Sequence, residues 1–167
     1  MGCLCPIDIL IQETLENHNH KRALHKSEPL KINEELNKLA VEYAKQISDG
    51  NSIKEKLYNG IFLGENIYIY NGEKFNVSNV NEMCNDWYNE INKYDKQLNQ
   101  YQKNTSHFTQ MIWKGTKELG FGFVKNKKDK DKIFYAVALY YPPGNILGEF
   151  KENVIIPDDN NDNKDNK

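Results

Sequence analysis

The sequence is poor in cysteine, has little net charge and contains no long apolar segment. Its three cysteines, Cys3, Cys5 and Cys84, are too few for the disulfide framework of a small secreted domain. Lysine and arginine total 22 and aspartate and glutamate total 24, so the net charge of −2 gives no electrostatic support for nucleic-acid binding. No apolar run approaches the roughly 18–20 residues that a membrane-spanning helix requires. These absences predict an ordinary soluble protein.

The first residues, MGCLCPIDILIQ, also lack the basic segment and the small-residue cleavage site of a signal peptide, and we expect a cytosolic location. They do contain Gly2, which removal of Met1 exposes for myristoylation, with Cys3 and Cys5 as palmitoylation candidates. One acyl chain binds membranes only weakly, whereas two or three give stable attachment. Pro6 stands where the myristoylation motif has Ser or Thr, and the alternative is an unmodified terminus with free thiols.

The length of 167 residues suits one well-buried domain and is too short for two. We expect this domain to occupy residues 7–157, after a lipidation segment at residues 1–6. Residues 158–167, DDNNDNKDNK, contain no hydrophobic side chain and are expected to form a disordered, acidic and Asn-rich tail.

The apolar periodicity predicts three amphipathic helices, over Ile7–His25, from an Asn33 cap to Ser48, and over Asn79–Asn92. Ile67–Tyr70 is predicted to be a short strand because it is β-branched and aromatic. Ile133–Tyr141 has apolar residues on both faces, which predicts a central strand.

The segment His107–Val124 carries the densest pattern of the chain. It predicts a short helix with His107 on its first turn, a buried Trp113, a turn, and then a strand. On that strand Leu119, Phe121 and Phe123 share one face, and glycines occupy the other. Glycine at alternate strand positions indicates close packing, and we expect the His107 segment and a helix to lie against the glycine face.

Four motifs in this order resemble the CAP family, which comprises the cysteine-rich secretory, antigen 5 and pathogenesis-related 1 proteins. HFTQMIW with GTKELGFG resembles the first family signature, and YYPPGN at Tyr140–Asn145 resembles the second. HNHKRALHKSEPL at His18–Leu30, and GEN at Gly64–Asn66 with WYNEI at Trp87–Ile91, also match. The resemblance implies an α+β fold, the CAP three-layer α-β-α sandwich with a small, mainly antiparallel sheet.

The family carries a cavity lined by two histidines and two glutamates. The resemblance maps Glu65, Glu90 and His107 onto it, and the fourth residue is missing because no histidine lies between His25 and His107. A closed zinc site needs four ligands and a catalytic one three plus water, so any bound divalent metal such as Zn is expected to be weakly held. The spacing of His18 and His25 also suits a metal pair, but the resemblance implies structural roles for both.

The three cavity residues have two interpretations. They are either a satisfied polar network that ties loop, helix and sheet together, or a general acid–base site in a metal-dependent hydrolase. CAP membership implies no general enzymatic activity, which favours the network.

Among CAP proteins the chain looks most like the Golgi-associated plant pathogenesis-related branch. That resemblance implies a lipid-binding or scaffolding module on the cytosolic face of the Golgi or plasma membrane. Its expected partners are anionic lipids or sterol and a second copy in a homodimer. A sterol or fatty-acid carrier is a variant, for which Tyr68, Tyr70 and Phe75 offer an apolar contact, with a core role as the alternative.

Overall fold

The computed structural model describes residues 6–51, 57–126 and 132–157. Within these ranges the chain forms helices and strands in the following order: α1 (Pro6–Leu24), β1 (Lys31–Ile32), α2 (Glu34–Ser48), β2 (Leu57–Tyr58), β3 (Ile61–Phe62), β4 (Gly64–Asn71), α3 (Val77–Asn89), a 3-10 turn (Glu90–Lys93), α4 (Ser106–Ile112), β5 (Glu118–Lys125), β6 (Ile133–Tyr141) and α5 (Phe150–Asn153). No helix in the described ranges has the length and apolar character to span a bilayer.

The main sheet has the strand order β1-β5-β6-β4. Strands β4, β5 and β6 pair antiparallel, and only the two-residue β1 runs parallel to its neighbour β5. Strand β6 therefore lies inside the sheet, as its two apolar faces predicted. Strands β2 and β3 form a separate hairpin.

Helices cover both faces of the sheet and create two cores. The first core joins α1, α3 and α4 to one face, through side chains that include Met83, Phe108 and Phe121. The second joins α2 to the opposite face, through side chains that include Leu36 and Leu139. Alternate residues of β6 supply the two cores, because successive strand side chains point to opposite faces. The result is the predicted α-β-α sandwich.

Gly120 and Gly122 show why β5 needs glycine at alternate positions. A Cβ atom on Gly120 would collide with the backbone and Cβ of Leu36, and one on Gly122 would meet the backbone of Val41. Helix α2 therefore lies directly on the glycine face, as the sequence predicted. The expectation that the His107 segment also packs there is wrong, because α4 lies in the core formed on the opposite face.

Asparagine side chains cap the N-termini of α2 and α3, and one of these two boundaries differs from the predicted one. Asn33 accepts hydrogen bonds from Glu35 N and Leu36 N and starts α2, as expected. Asn76, with Asn79, forms a capping box that starts α3 at Val77, two residues earlier than predicted. The β2–β3 hairpin and strand β1 were not predicted, since strands of two residues are too short to show a period.

Candidate functional site

Glu90 and His107 form the centre of the candidate site. His107 lies on the first turn of α4, and Glu90 lies at the end of α3, where the 3-10 turn begins. The His107 Nδ1 atom is 2.7 Å from Glu90 Oε1. The Glu90 side chain is 16% exposed and the His107 side chain is 39% exposed, so the pair sits at the boundary between core and solvent.

Glu90 also caps α4. Its Oε2 atom accepts hydrogen bonds from the backbone N–H groups of His107, at 2.9 Å, and Phe108, at 3.2 Å. The residue that precedes the helix, Thr105, makes no side-chain cap, so Glu90 supplies from a distant element the acceptor that a helix N-terminus lacks. A carboxylate at this end also interacts favourably with the helix dipole. Glu90 is thereby fixed by three hydrogen bonds.

The face of the His107 imidazole packs against the Trp87 ring. The two rings stack with centroids 6.0 Å apart and an interplanar angle of 17°. Because Glu90 engages Nδ1, Nε2 is the ring nitrogen left to meet an incoming proton, ligand or metal. Chemically the pair resembles an oriented carboxylate–imidazole dyad, which can move a proton if a substrate is present.

A buried chain of hydrogen bonds connects this site to α1. Asn66 Nδ2 donates to the His107 carbonyl oxygen, at 3.1 Å, and to the Tyr140 hydroxyl, at 3.0 Å. The Tyr140 hydroxyl lies 2.8 Å from His18 Nε2, and His18 Nδ1 lies 2.8 Å from the Thr14 carbonyl oxygen. One arrangement satisfies the Tyr140 hydroxyl and both imidazole nitrogens: His18 is neutral, donates from Nδ1 and accepts from Tyr140 at Nε2. Burial lowers the pKa of His18 to about 4, which agrees with a neutral ring.

His25, which directly follows α1, is held by hydrogen bonds at both ring nitrogens, as His18 is. Its Nδ1 lies 2.7 Å from the Ile155 carbonyl oxygen and its Nε2 lies 3.0 Å from the Tyr88 hydroxyl. Burial lowers the pKa of this ring as well. Both ring nitrogens of His18 and of His25 are thus engaged within the fold, which supports the structural interpretation of the two histidines over a metal pair.

Glu65 does not join Glu90 and His107 in a ligand set. Its neighbour Asn66 points towards α4, so the alternation of β4 directs the exposed Glu65 side chain to the other face of the sheet. In the described ranges no three His, Cys, Asp or Glu side chains are arranged to hold a metal. Among the described residues Glu90 and His107 supply two ligands, fewer than a zinc site needs.

Three further side chains were named in the motifs without an assigned role. Asn66 and Tyr140 form the chain behind the site, and Arg22 is a fully buried cation whose guanidinium donates to backbone carbonyl oxygens. A polar side chain inside a strongly apolar stretch is the sequence feature that could have indicated a role for these residues. Such a side chain becomes buried, and buried polar groups require hydrogen-bond partners. The register of β4 against β6 places Asn66 and Tyr140 on one face, and the sequence alone does not show this register or what the two side chains bind.

The predicted lipidation residues and the predicted aromatic contact remain to be placed. Gly2, Cys3 and Cys5 lie outside the described residues. Tyr70 and Phe75 belong to the first core, with ring centroids 6.0 Å apart, and Tyr68 packs edge-on against Trp87. Burial is the largest cause that raises the pKa of Tyr68 to about 12, and its hydroxyl donates to Asp86. These aromatics therefore have the core role.

An α-β-α sandwich with a small, mainly antiparallel sheet and a histidine–glutamate pair between α3 and α4 is the architecture of CAP proteins. A model of the cysteine-rich secretory protein family, CAP, matches residues 15–140 of this chain. The chain belongs to this family, which confirms the resemblance.

Two related proteins can be aligned with most of this chain. The human Golgi-associated plant pathogenesis-related protein 1 is 33% identical over 152 residues, which cover 87% of this chain and 92% of the relative. Protein PRY2 of Saccharomyces cerevisiae is 32% identical over 142 residues, 84% of this chain and 40% of the yeast protein.

Solved structures show the same fold. BmVAL-1 superposes with a TM-score of 0.66 at 23% identity, over 93% of this chain and 84% of its own. NaASP2, solved with Zn2+, superposes with a TM-score of 0.65 at 23% identity, over 93% and 89%. These neighbours confirm the predicted fold class.

Proposed function

We propose that this CAP protein is a non-enzymatic, membrane-associated module that binds lipid or acts as a scaffold on the cytosolic face of the Golgi or plasma membrane. The observation that carries the proposal is the use of Glu90. All three of its hydrogen bonds hold α4 in place, and Glu65 points elsewhere, so the family cavity here stabilises the fold. The match to a Golgi-associated relative over 92% of its length supports the location.

Attachment would come from the N-terminal residues Gly2, Cys3 and Cys5. They are the only group in the sequence that offers two or three acyl sites, and the net charge of −2 provides no general attraction to anionic lipid. Myristate alone binds reversibly, so the cysteines would determine how long the protein stays on the membrane.

The β2–β3 hairpin offers a direct lipid contact. Leu57, Ile61 and Phe62 are exposed by 46%, 43% and 59% on a hairpin of two short strands. Leu57 and Phe62 pair across the hairpin and therefore lie on one of its faces, and exposed apolar side chains grouped in this way are typical of interaction surfaces. In this proposal the acyl chains bring the domain to the membrane and the hairpin enters the interface.

Fractionation of the native cell tests the attachment. We expect wild type on membranes, Gly2→Ala in the cytosol, and Cys3→Ser with Cys5→Ser in weak, exchanging association. If Gly2→Ala stays on membranes as fully as wild type, the anchor is not acyl-based and the proposal of an N-terminal attachment fails.

Vesicle co-sedimentation of the unacylated full chain tests the hairpin. The vesicles are phosphatidylcholine alone, or with phosphatidylserine or cholesterol. Ile61→Ser with Phe62→Ser should abolish most of the binding, whereas Leu147→Ser, at a residue 79% exposed and outside the hairpin, should not change it. Equal binding of both variants would remove the hairpin from the proposal.

Metal analysis of the purified protein tests the alternative function. Stoichiometric zinc would favour the metal-dependent hydrolase.

A further inference from the structure

The tripeptide Tyr-Asn-Gly occurs twice in the chain, at Tyr58–Gly60 and at Tyr70–Gly72. An asparagine followed by glycine is prone to deamidation, because glycine has no side chain to shield its backbone nitrogen from the asparagine amide. Both asparagines, Asn59 and Asn71, are exposed, so water reaches each of them. The local sequence is the same, and the structural settings distinguish the two copies.

Asn71 is held by the main sheet. It is the last residue of β4 and pairs with Ile133 of β6. The N–H group of Gly72 donates to the Lys132 carbonyl oxygen at 2.9 Å. The Gly72 nitrogen must therefore leave a hydrogen bond before it can react with the Asn71 side chain.

Asn59 lies in the turn of the β2–β3 hairpin. Tyr58 pairs with Ile61, so the two residues between them form the turn, and these have φ values of 51° at Asn59 and 76° at Gly60. Positive φ at both positions is typical of a type I′ turn, for which Asn-Gly is a preferred sequence. The flanking residues make the ladder hydrogen bonds of such a turn, which leaves the Gly60 nitrogen outside the ladder. A Cβ atom on Gly60 would meet nothing within 4 Å, so the turn is open to solvent.

We propose that Asn59 is a site of spontaneous deamidation, and that the sheet protects Asn71 from the same reaction. The Gly60 nitrogen gives up its proton and attacks Cγ of Asn59. A C–N bond forms, the side-chain nitrogen of Asn59 takes up a proton and leaves as ammonia, and a cyclic succinimide results. Water then opens the succinimide at either of its carbonyl carbons, which gives aspartate or isoaspartate. The reaction consumes water, releases ammonia and needs no oxidant or enzyme.

The product places a carboxylate at the tip of an exposed apolar hairpin. Ile61, two positions further along, is 43% exposed. Isoaspartate also lengthens the backbone by one carbon atom, so the two-residue turn no longer fits the register in which Leu57 pairs with Phe62. This consequence rests on the proposed lipid contact of the hairpin. A negative charge at the tip opposes entry into an anionic membrane surface, so deamidation acts as a slow, irreversible release of the hairpin.

Peptide mapping by mass spectrometry tests the site. Unacylated full-length protein is incubated at neutral and at mildly alkaline pH, and the amide-to-acid mass change is followed with time at both asparagines. Asn59 should convert about fivefold faster than Asn71, because one hydrogen bond must open before Gly72 can react. The rate at Asn59 should rise with pH, since the attacking nitrogen must be deprotonated.

The peptides LYNGIF and IYNGEK are the control for the local sequence. Both should deamidate at similar rates, so a difference in the folded protein reports the structure. Asn59→Gly keeps a turn sequence that suits type I′ and removes the reactive amide, so of the two pairs only Asn71 should convert, at its slow rate. Conversion of Asn71 as fast as that of Asn59 in the folded protein, or no conversion of Asn59 while its peptide converts, would overturn the proposal.

Vesicle co-sedimentation tests the consequence separately. Asn59→Asp, which carries the charge of the product, should bind phosphatidylserine-containing vesicles about fivefold more weakly than fresh wild type, the effect of one elementary charge near an anionic surface. Asn71→Asp adds the same charge at the other end of β4 from the hairpin and should bind as wild type does. Equal binding by the two variants would overturn the release. A wild type that binds no vesicles would overturn both the lipid contact and the release, whereas the mass measurement alone decides the site.

Discussion

Arg22 donates a hydrogen bond from Nη1 to the carbonyl oxygen of Trp113 at 2.9 Å, although the two residues are 91 positions apart in the chain. The same guanidinium donates to the carbonyl oxygens of Met111 and Thr116, each at 3.0 Å, and of Glu28 at 2.8 Å. Met111 and Trp113 lie at the end of α4, where carbonyl groups lack helical partners. One buried cation therefore closes α4 and ties it to α1.

Replacing Arg22 should be among the most damaging changes to the fold. Arg22→Met keeps a long side chain but leaves four carbonyl oxygens without their donor, and we expect a loss of about 3 kcal/mol or more in the free energy of unfolding. Arg22→Lys should recover little, because a compact ammonium cannot reproduce the planar fork of donors. Urea unfolding measures the difference, with the exposed Lys151→Met as control. Wild-type stability of Arg22→Lys would contradict a fork-specific role.

The sequence predicted the layers of this fold better than it predicted their contacts. The periods of α2 and β6 appear because each buries a continuous stripe or face, and these elements lie where expected. Helix α1 also forms where expected, although most of its fully buried side chains are polar, among them Thr14 and His18. The position of α4 was predicted on the wrong face of the sheet, because glycine on β5 shows only that something packs closely. In the structure that partner is α2, at Leu36 and Val41.

The candidate site shows the same limit. Residue type and motif order identified Glu90 and His107, whose contact at 2.7 Å the structure shows. Glu65 carried an equal signal and lies on the opposite strand face, a distinction that depends on the register of β4 rather than on residue type. The capping of α4 by Glu90 was also beyond sequence reasoning, since it joins residues 17 positions apart through a polar loop.

The close approach of α2 to β5 predicts a strong effect of one methyl group. In Gly120→Ala the new Cβ meets the backbone of Leu36, which cannot move without shifting the helix. We expect a loss of about 1–3 kcal/mol, typical of overpacking in a core. Thermal unfolding measures it, and Lys125→Ala at an exposed position of the same strand serves as control. An unchanged melting temperature would mean that α2 adjusts freely on the sheet.

The two buried histidines predict a loss of stability in mild acid. Burial lowers the pKa of His18 from 6.5 to about 4 and also lowers that of His25. Between those values the unfolded chain binds protons that the folded chain does not, so stability is full above about pH 6.5 and decreases towards pH 4. For His18 alone the loss amounts to about 3 kcal/mol.

Urea unfolding at a series of pH values tests this. In His18→Gln the slope between pH 6.5 and 4 should become shallower, even though the variant is less stable at neutral pH. His20→Gln, at an exposed histidine of the same helix, should keep the wild-type profile. A wild-type profile that is flat from pH 7 to 5 would show that the native state accepts these protons.

The last prediction separates a structural Glu90 from a reactive one. Glu90→Ala leaves the His107 ring and the N–H groups of His107 and Phe108 without their acceptor, so we expect a loss of about 1–3 kcal/mol in the free energy of unfolding. His107→Ala should cost less, because the two backbone bonds to Glu90 remain. Vesicle binding should stay near wild type in both variants, measured beside their melting temperatures. Loss of vesicle binding at an unchanged melting temperature would make the pair the functional site, since a helix cap that contributes nothing to stability has no structural reason to be there.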